Sequence, residues 1–412
     1  MHILHTSDWH LGRSLHGKKR YAEFESFLAW LIATIEEYQV EVLLVAGDVF
    51  DSSVPSNRAQ ELYYNFLCRV AASSCRHVVV IAGNHDSPTL LEAPKELLKV
   101  LDVHVVGTIP DQISDEVLLL HDKKGAPELI VCAVPYLRDR DLRQSEAGES
   151  MADKEEKLLA GIRSHYAMVF QHAEEQRQQL GAVPPSIPII AMGHLFAAGS
   201  SVGEGEGMRE LYVGSLARVE AGIFPESLHY VALGHLHIPQ KVRGNELIRY
   251  SGSPLSMGFG EARQQKSVCL VQCQGATATV QLVPVPVWQR LERIRGDWPH
   301  IAVRVEALAA EQESIWLEVV YEGDELIVDL RDRLDSIISG TQLEILRVQN
   351  RRVLQQALAQ THLEESLDDL SVEEVFARRL DGKNVPAEQR PALLRAYHEV
   401  LQSLADEDSQ AE

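Results

Sequence analysis

Val42-Leu43-Leu44-Val45-Ala46-Gly47-Asp48 decides the architecture: five apolar residues, enough for a strand buried on both faces, stop at a glycine and then present a carboxylate. The device recurs. Residues 78–82 run into Gly83-Asn84, residues 187–192 into Gly193-His194, and residues 230–233 into Gly234-His235. The first strand, residues 3–6, does nearly the same with Asp8 and His10. Between strands, residues 20–38 and 56–72 have the apolar spacing of amphipathic helices, and residues 149–180 make a third helical stretch. This alternation over residues 1–275 predicts an α/β domain whose site lies where strands end in side chains with lone pairs.

Working outward, composition shifts at Val283-Pro284-Val285-Pro286, a stiff connection. Strand, helix, strand, helix and strand patterns then follow up to residue 349 and predict a small α+β domain over residues 276–349. In residues 350–412, Ser371-Val372-Glu373-Glu374 reads as a capping box that opens one helix, and residues 386–404 as a second. Two short helices cannot bury much by themselves, so Val375, Phe376, Leu380, Leu394 and Tyr397 need either a partner or the chain's own surface.

The whole chain has 412 residues, 45% hydrophobic and 24% charged, which excludes a disordered, collagenous or coiled-coil protein. Its net charge of −21 repels polyanions at long range, so contact with nucleic acid needs metals, local basic patches or a partner. Five cysteines with no C-x-x-C spacing indicate neither disulfides nor a thiolate zinc site. The opening residues lack the basic and apolar regions of a signal peptide, and no apolar run is long enough to span a bilayer. A cytoplasmic protein without membrane contact is expected.

Residues two apart at a strand end point to the same side, so Asp8-x-His10 and His235-x-His237 each aim two donors at one place. With Asp48, Asn84 and His194 there are seven donors, enough for two divalent ions sharing one carboxylate, and Asp48 is the natural bridge. Carboxylate, amide and imidazole donors without sulfur suit Mn²⁺, Fe²⁺ or Mg²⁺. Singly, each histidine would read as a turn residue; it is the recurrence that argues for a site. His85 beside such a centre fits a general acid that protonates an alkoxide leaving group, with Asp86 expected to hold its other nitrogen.

Asp8-Trp9-His10, residues 47–51 (Gly-Asp-Val-Phe-Asp), Gly83-Asn84-His85-Asp86, Gly193-His194 and Gly234-His235-Leu236-His237 resemble, in order and spacing, the five motifs of the calcineurin-like metallophosphoesterases. His5-Thr6-Ser7-Asp8-Trp9-His10-Leu11-Gly12, Gly252-Ser253-Pro254 and residues 370–376 (Leu-Ser-Val-Glu-Glu-Val-Phe) are similar, more narrowly, to the nuclease subunits of bacterial double-strand-break repair complexes. The resemblance implies a β-sandwich flanked by helices, with two Mn²⁺ ions. Asp8, His10, Asp48 and His237 would hold one ion, and Asp48, Asn84, His194 and His235 the other, with His85 catalytic. It also implies a capping domain that restricts DNA access, a tail that grips a coiled-coil ATPase, and a homodimer, formed through residues 20–38 and 56–72, inside a heterotetramer. The implied activity is ATP-dependent 3′–5′ exonuclease action on duplex DNA plus endonuclease action on single strands and hairpins, in repair, recombination and replication near the nucleoid. Asp51, where archaeal relatives carry histidine, matches the bacterial branch.

Gly12 to Lys19 nearly spells a phosphate-binding loop, but Lys19 stands where a hydroxyl would hold Mg²⁺, so no nucleotide is expected on this chain. Arg13, Lys18, Lys19 and Arg20 cluster behind a metal motif and suit either phosphate-backbone contact or a plain solvated loop. Arg138, with Arg140 and Arg143, is either a DNA-facing loop or a surface cluster paired with Asp139 and Asp141. Two rival functions share the fold. A phosphatase or small-molecule phosphodiesterase is one, although protein phosphatases typically carry arginine where Asp51 is followed by Ser52-Ser53. A metal-free scaffold is the other, and such scaffolds lose ligands that are all in place here.

Overall fold

The computed structural model describes residues 1–142, 150–181, 187–197, 219, 221–275, 277–325, 327, 329–350 and 390. The chain divides into two units: residues 1–321 with 327–349, and residues 322–326 with 350–412. Almost all of the second lies outside the described residues, and with it Val375, Phe376, Leu380, Leu394 and Tyr397; Arg143 also falls outside.

Two six-stranded sheets make the first unit. One runs in the order Thr277–Pro284, Ser267–Gln274, His2–Thr6, Val42–Ala46, His77–Ile81, Val103–Val106, and the last four strands are parallel. The other runs Gln240–Val242, Asn245–Tyr250, Tyr230–Gly234, Ile189–His194, Pro127–Ala133, Val117–His121, with the four inner strands parallel. Side chains alternate across each strand, and both faces are covered. In strand Val42–Ala46, Val42, Leu44 and Ala46 enter the core between the sheets with Val131, Ile190, Met192 and Ala232. Leu43 and Val45 face the opposite way, into a layer with Phe24, Phe27, Leu31 and Phe66.

That outer layer is supplied by helices Tyr21–Glu37 and Asn57–Ala71, as the apolar spacing predicts. Each buried phenylalanine or leucine contributes about 1.5–3 kcal/mol relative to exposure. The Ser56 side chain caps the second helix by accepting from the Ala59 amide at 3.2 Å. Helix Met151–Gln179 covers the outer face of the other sheet through Tyr166, Val169 and Phe170, and opens on a reciprocal Ser150–Asp153 capping box. Four layers result, helix on sheet on sheet on helix, which is the helix-flanked β-sandwich expected. No helix among the described residues is long and apolar enough to cross a membrane.

Strands Arg290–Gly296, Ile315–Tyr321 and Leu343–Asn350 form a third sheet, packed by helices Trp298–Ala310 and Leu330–Ile338 into the small α+β module predicted from the sequence. Its start needs correction. Thr277–Pro284 pairs along its whole length with Ser267–Gln274 as the edge of the first sheet, so the module begins after the proline-rich connection rather than at residue 276. The module rests on the sandwich through Leu291 and Trp316 against Leu15 and Phe259, and Lys18 Nζ lies 2.7 Å from Glu344 Oε1.

Candidate metal centre and catalytic site

Because the inner strands of both sheets are parallel, their carboxyl ends share one edge of the sandwich, and there the two sheets approach closely. An added Cβ at Gly234 would fall 1.9 Å from the Ala46 carbonyl oxygen, and one at Gly83 would fall 2.1 Å from Asp48 Oδ1. Only glycine fits at such an approach, which explains why the apolar runs stop at that residue before each donor.

The donors follow in unusual backbone. Asp8, His10, Asp48 and His235 have φ of 53°, 49°, 50° and 99°, in the left-handed region that L side chains avoid. Such residues cost about 1–3 kcal/mol each and persist where the surroundings over-determine them. Here they do: the Asp8 amide donates to Gly47 O and the His10 amide to Asp48 O, both at 3.0 Å.

All seven predicted donors come together. Donor atoms of Asp8, His10 and His237 lie within 4.8 Å of one another, as do those of Asp8, Asp48 and His194. Asp48 joins the two halves, with Oδ2 3.7 Å from His10 Nε2 and 3.2 Å from His194 Nε2. Asn84 Oδ1 is 3.0 Å from both His194 Nε2 and His235 Nδ1.

The donor set fits divalent cations on several counts. Nδ1 of His194 donates to the Ala46 carbonyl at 2.9 Å, which fixes the ring and leaves Nε2 as the nitrogen that faces the centre. His10 and His237 point their Nε2 atoms at each other across 3.2 Å, and His10 Nδ1 is buried without a hydrogen bond. Burial lowers the His10 pKa and takes His235 down to about 3, so both rings are neutral and free to ligate. Burial alone would raise Asp48, but the adjacent His194 holds it well below the carboxylate range; the same pair outweighs burial at His194 and raises it to about 9. A cation seated beside Asp48 competes with that proton, so metal uptake releases it.

His85 adjoins the centre, its ring 4.8 Å from that of His10. Its orienting partner differs from the expectation. Nδ1 of His85 lies 3.1 Å from the main-chain carbonyl of Asp51, and Asp86 does not hold it. The Asp86 carboxylate instead accepts three amides: Gly83 and Val49 on Oδ2 at 2.9 and 3.1 Å, and Phe50 on Oδ1 at 2.9 Å. A buried carboxylate answering three orphan donors satisfies the backbone accounting better than one reaching for an imidazole. Burial and the Asp48 charge nonetheless push Asp86 up to about 6. Asp86 is therefore a positioning residue for the turn that carries Asn84 and His85.

The basic residues separate. Arg20 is corrected: it is 2% exposed, with Nε and Nη2 on the Glu23 carboxylate at 2.8 Å and Nη1 on Ser256 O at 2.6 Å, which leaves nothing for a phosphate. Arg13 is buried at the rim, 3.0 Å from Asp51 Oδ1. Lys18 is held by Glu344, Lys19 is exposed, and Arg138 donates to the Asp86 carbonyl at 3.1 Å.

Three further residues support the ligands: Asp51, quoted in a motif without this role, and Glu261 and Lys266, which carried no sequence signal. Asp51 Oδ1 stands 3.4 Å from His10 Nδ1. Glu261 Oε1 stands 3.5 Å from His237 Nδ1, and Lys266 Nζ reaches Glu261 Oε2 at 2.6 Å and His237 O at 2.9 Å. Carboxylates behind ligating imidazoles fix ring orientation and raise basicity.

Comparison with known proteins finds relatives of this chain. The family model for calcineurin-like phosphoesterases matches residues 1–239, and one described as the type 5 capsule protein repressor C-terminal domain matches residues 287–384. The second match begins just after the corrected module boundary. Similar curated proteins include the SbcD subunit of the nuclease SbcCD of Escherichia coli (strain K12), 35% identical over 410 residues and covering 99% of each chain. Its counterpart in Rhodobacter capsulatus is 33% identical over 84% of this chain and 86% of its own, and the one in Bacillus subtilis 36% identical over 69% of each.

Proposed function

This chain belongs to the calcineurin-like phosphoesterases and, within them, to the SbcD subunits of SbcCD nucleases, and we propose on that premise how its centre cuts DNA. It is a metal-dependent phosphodiester hydrolase, a nuclease of the SbcCD type. The observation that carries the reading is the position of Asp48 between two groups of donors, with His85 alongside.

Asp8, His10, Asp48 and His237 would hold one Mn²⁺, and Asp48, Asn84, His194 and His235 the other. When bound, two such ions activate water and neutralise the phosphoryl oxygens of an in-line displacement. The residues themselves orient and move protons. The Asp51 carbonyl accepts from Nδ1–H of His85, which leaves Nε2 for the substrate; in the imidazolium form that nitrogen carries the second proton, gives it to the departing oxygen of the DNA strand, and the ring returns to its neutral Nδ1–H state. Asp86 holds the turn that places His85, and Glu261 fixes the ring of His237.

The substrate is DNA, degraded 3′ to 5′ from duplex ends and cut within single strands and hairpins, with Arg13, Lys18, Lys19 and Arg138 near the phosphates. A separate SbcC-like coiled-coil ATPase supplies ATP dependence and is gripped by residues 350–412, while the α+β module limits access to the centre. Two copies associate through helices Tyr21–Glu37 and Asn57–Ala71 inside a heterotetramer, in the cytoplasm beside the nucleoid. The test is cleavage of end-labelled duplex and single-stranded DNA by the purified chain with Mn²⁺, with and without the ATPase, against p-nitrophenyl phosphate. Mn²⁺-dependent DNA cutting supports the reading. Monoester turnover without DNA cutting, even with the partner, rejects the substrate and keeps the metals.

A further inference from the structure

We propose that His77, Asp102 and His104 form a further metal site, separate from the catalytic centre, that takes one late first-row dication of the Zn²⁺ class. His77 opens strand His77–Ile81, and His104 lies in the neighbouring parallel edge strand Val103–Val106, with Val78 paired to Val103 and Val79 to His104. Asp102-x-His104 sets a carboxylate in the turn just before the edge strand, at a left-handed φ of 54°, two residues from the imidazole. Donor atoms of the three residues lie within 4.8 Å of one another.

The state of His77 points to a cation. Its Nε2 lies 2.9 Å from the main-chain carbonyl of His121, which can only accept, so the hydrogen sits on Nε2 and Nδ1 is a lone pair. That Nδ1 is buried and makes no hydrogen bond, with Asp102 Oδ1 4.0 Å away. A carbonyl that locks one nitrogen of an imidazole while the other faces a second imidazole and a carboxylate is the arrangement His194 shows in the catalytic centre. Burial, then the neighbouring His77, lowers the His104 pKa, so this ring is also neutral. The nearby Arg76 guanidinium is taken up by Glu41 and Glu128 and does not occupy the space.

Two imidazoles and one carboxylate, with a position left for water, suit Zn²⁺ more than Mg²⁺. Tetrahedral ligands at zinc distances are roughly 3.3 Å apart. The side chain of Asp102 is 65% exposed and free to turn inward to close the gap. The site stands at the amino end of a strand roughly 13 Å long, whose carboxyl end leads on to Asn84. An ion there staples the edge strand to its neighbour and stabilises the sheet without touching substrate.

The test uses the tag-free full chain stripped of metal, incubated with Zn²⁺ and exchanged into metal-free buffer before elemental analysis. Asp48→Asn provides a background in which the dinuclear centre has lost its bridge. In that background the chain is expected to retain one zinc, and to melt at a higher temperature with zinc than without. His104→Gln in the same background should lose both the zinc and the shift. Asp102→Asn, an exposed and conservative change, should weaken zinc binding at least about tenfold. With Asp48 intact, His104→Gln should keep its Mn²⁺-dependent nuclease turnover. Equal zinc counts with and without His104→Gln, or loss of nuclease turnover together with the zinc, would overturn the proposal.

Discussion

Nδ1 of His85 lies 3.1 Å from the main-chain carbonyl oxygen of Asp51, and that contact decides which edge of the imidazole does chemistry. A carbonyl only accepts, so Nδ1 carries a hydrogen and Nε2 is left to face the leaving group. His85→Asn removes the proton donor without removing any of the seven metal donors. Turnover should fall by about 10²–10⁴ while metal content stays at the wild-type value. Nuclease rates and elemental analysis on one preparation check this, and undiminished turnover would end the general-acid assignment.

Asp51 serves two neighbours through different atoms. Its carbonyl orients His85, whereas its carboxylate faces His10 Nδ1 at 3.4 Å and Arg13 Nη1 at 3.0 Å. Asp51→Ala therefore keeps the His85 contact and loses the support of His10. Metal affinity should drop about 10–100-fold, with turnover largely restored at saturating Mn²⁺. A Mn²⁺ titration of activity separates this from the His85 variant, which no metal concentration should rescue.

Asp86 presents the opposite case, a residue beside the proposed catalytic histidine whose work is structural. Its three amide partners sit on two different loops, Gly83 on one and Val49 and Phe50 on the other. Asp86→Asn turns one acceptor oxygen into a donor that faces an N–H, and should cost about 2–3 kcal/mol of stability. Turnover should fall as well, because the turn carrying Asn84 and His85 loses its anchor. Chemical denaturation of Asp86→Asn beside His85→Asn tells the roles apart, since only the former should unfold earlier.

What the sequence discloses and what it hides follow from the range of each interaction. Strands ending in glycine and a donor are local patterns, and all seven donors are legible in them. The reason for the glycines is not: it is the Ala46 carbonyl pressed against Gly234, a contact between two sheets that no spacing encodes. Asp86 misleads because adjacency in sequence suggests a partner that a strained turn directs elsewhere. Arg20 looks like one of a basic cluster, yet it opens a helix whose Glu23, one turn on, takes the charge inward. Residues 276–284 read as part of the following module because an edge strand half exposed to solvent has a weak apolar signal. Glu261 and Lys266 sit far along the chain from His237 and come to light only in the fold.

That last pair titrates in a predictable direction. Burial alone would raise the Glu261 carboxyl, but the Lys266 ammonium and His237 hold it far below its ordinary 4.5. A carboxylate depressed in the folded state lends stability that is complete above its unfolded pKa and is lost as pH falls through the folded one. Glu261→Gln leaves a buried ammonium unpaired and should cost about 3–5 kcal/mol at neutral pH. The gap in melting temperature from wild type should narrow as pH falls below 4.5, because the unfolded wild type then takes up a proton that the folded one still excludes. A gap that widens in acid would mean the pair does not hold Glu261 ionised.

Gly234 is where the meeting of the two sheets through glycine can be tested. The Ala46 carbonyl accepts from His194 Nδ1 at 2.9 Å, and a Cβ on residue 234 would stand 1.9 Å from that same oxygen and 2.8 Å from the nitrogen. Gly234→Ala must move backbone, either the strand Val42–Ala46 or residue 234 itself, because the nearest atom is a main-chain oxygen. Overpacking of this kind typically costs about 1–3 kcal/mol, and as the backbone gives, the His194 ring that donates to the Ala46 carbonyl turns with it. Once the ring turns, Nδ1 loses its acceptor and Nε2 is no longer fixed toward Asp48 and Asn84. The expected result is a modest fall in melting temperature with a disproportionate loss of Mn²⁺ affinity, about 10–100-fold, read by titrating activity against metal. Gly244→Ala is the control, because a Cβ there meets nothing within 4 Å although its φ of 77° still imposes backbone strain. Its stability should fall while its metal affinity stays at the wild-type value.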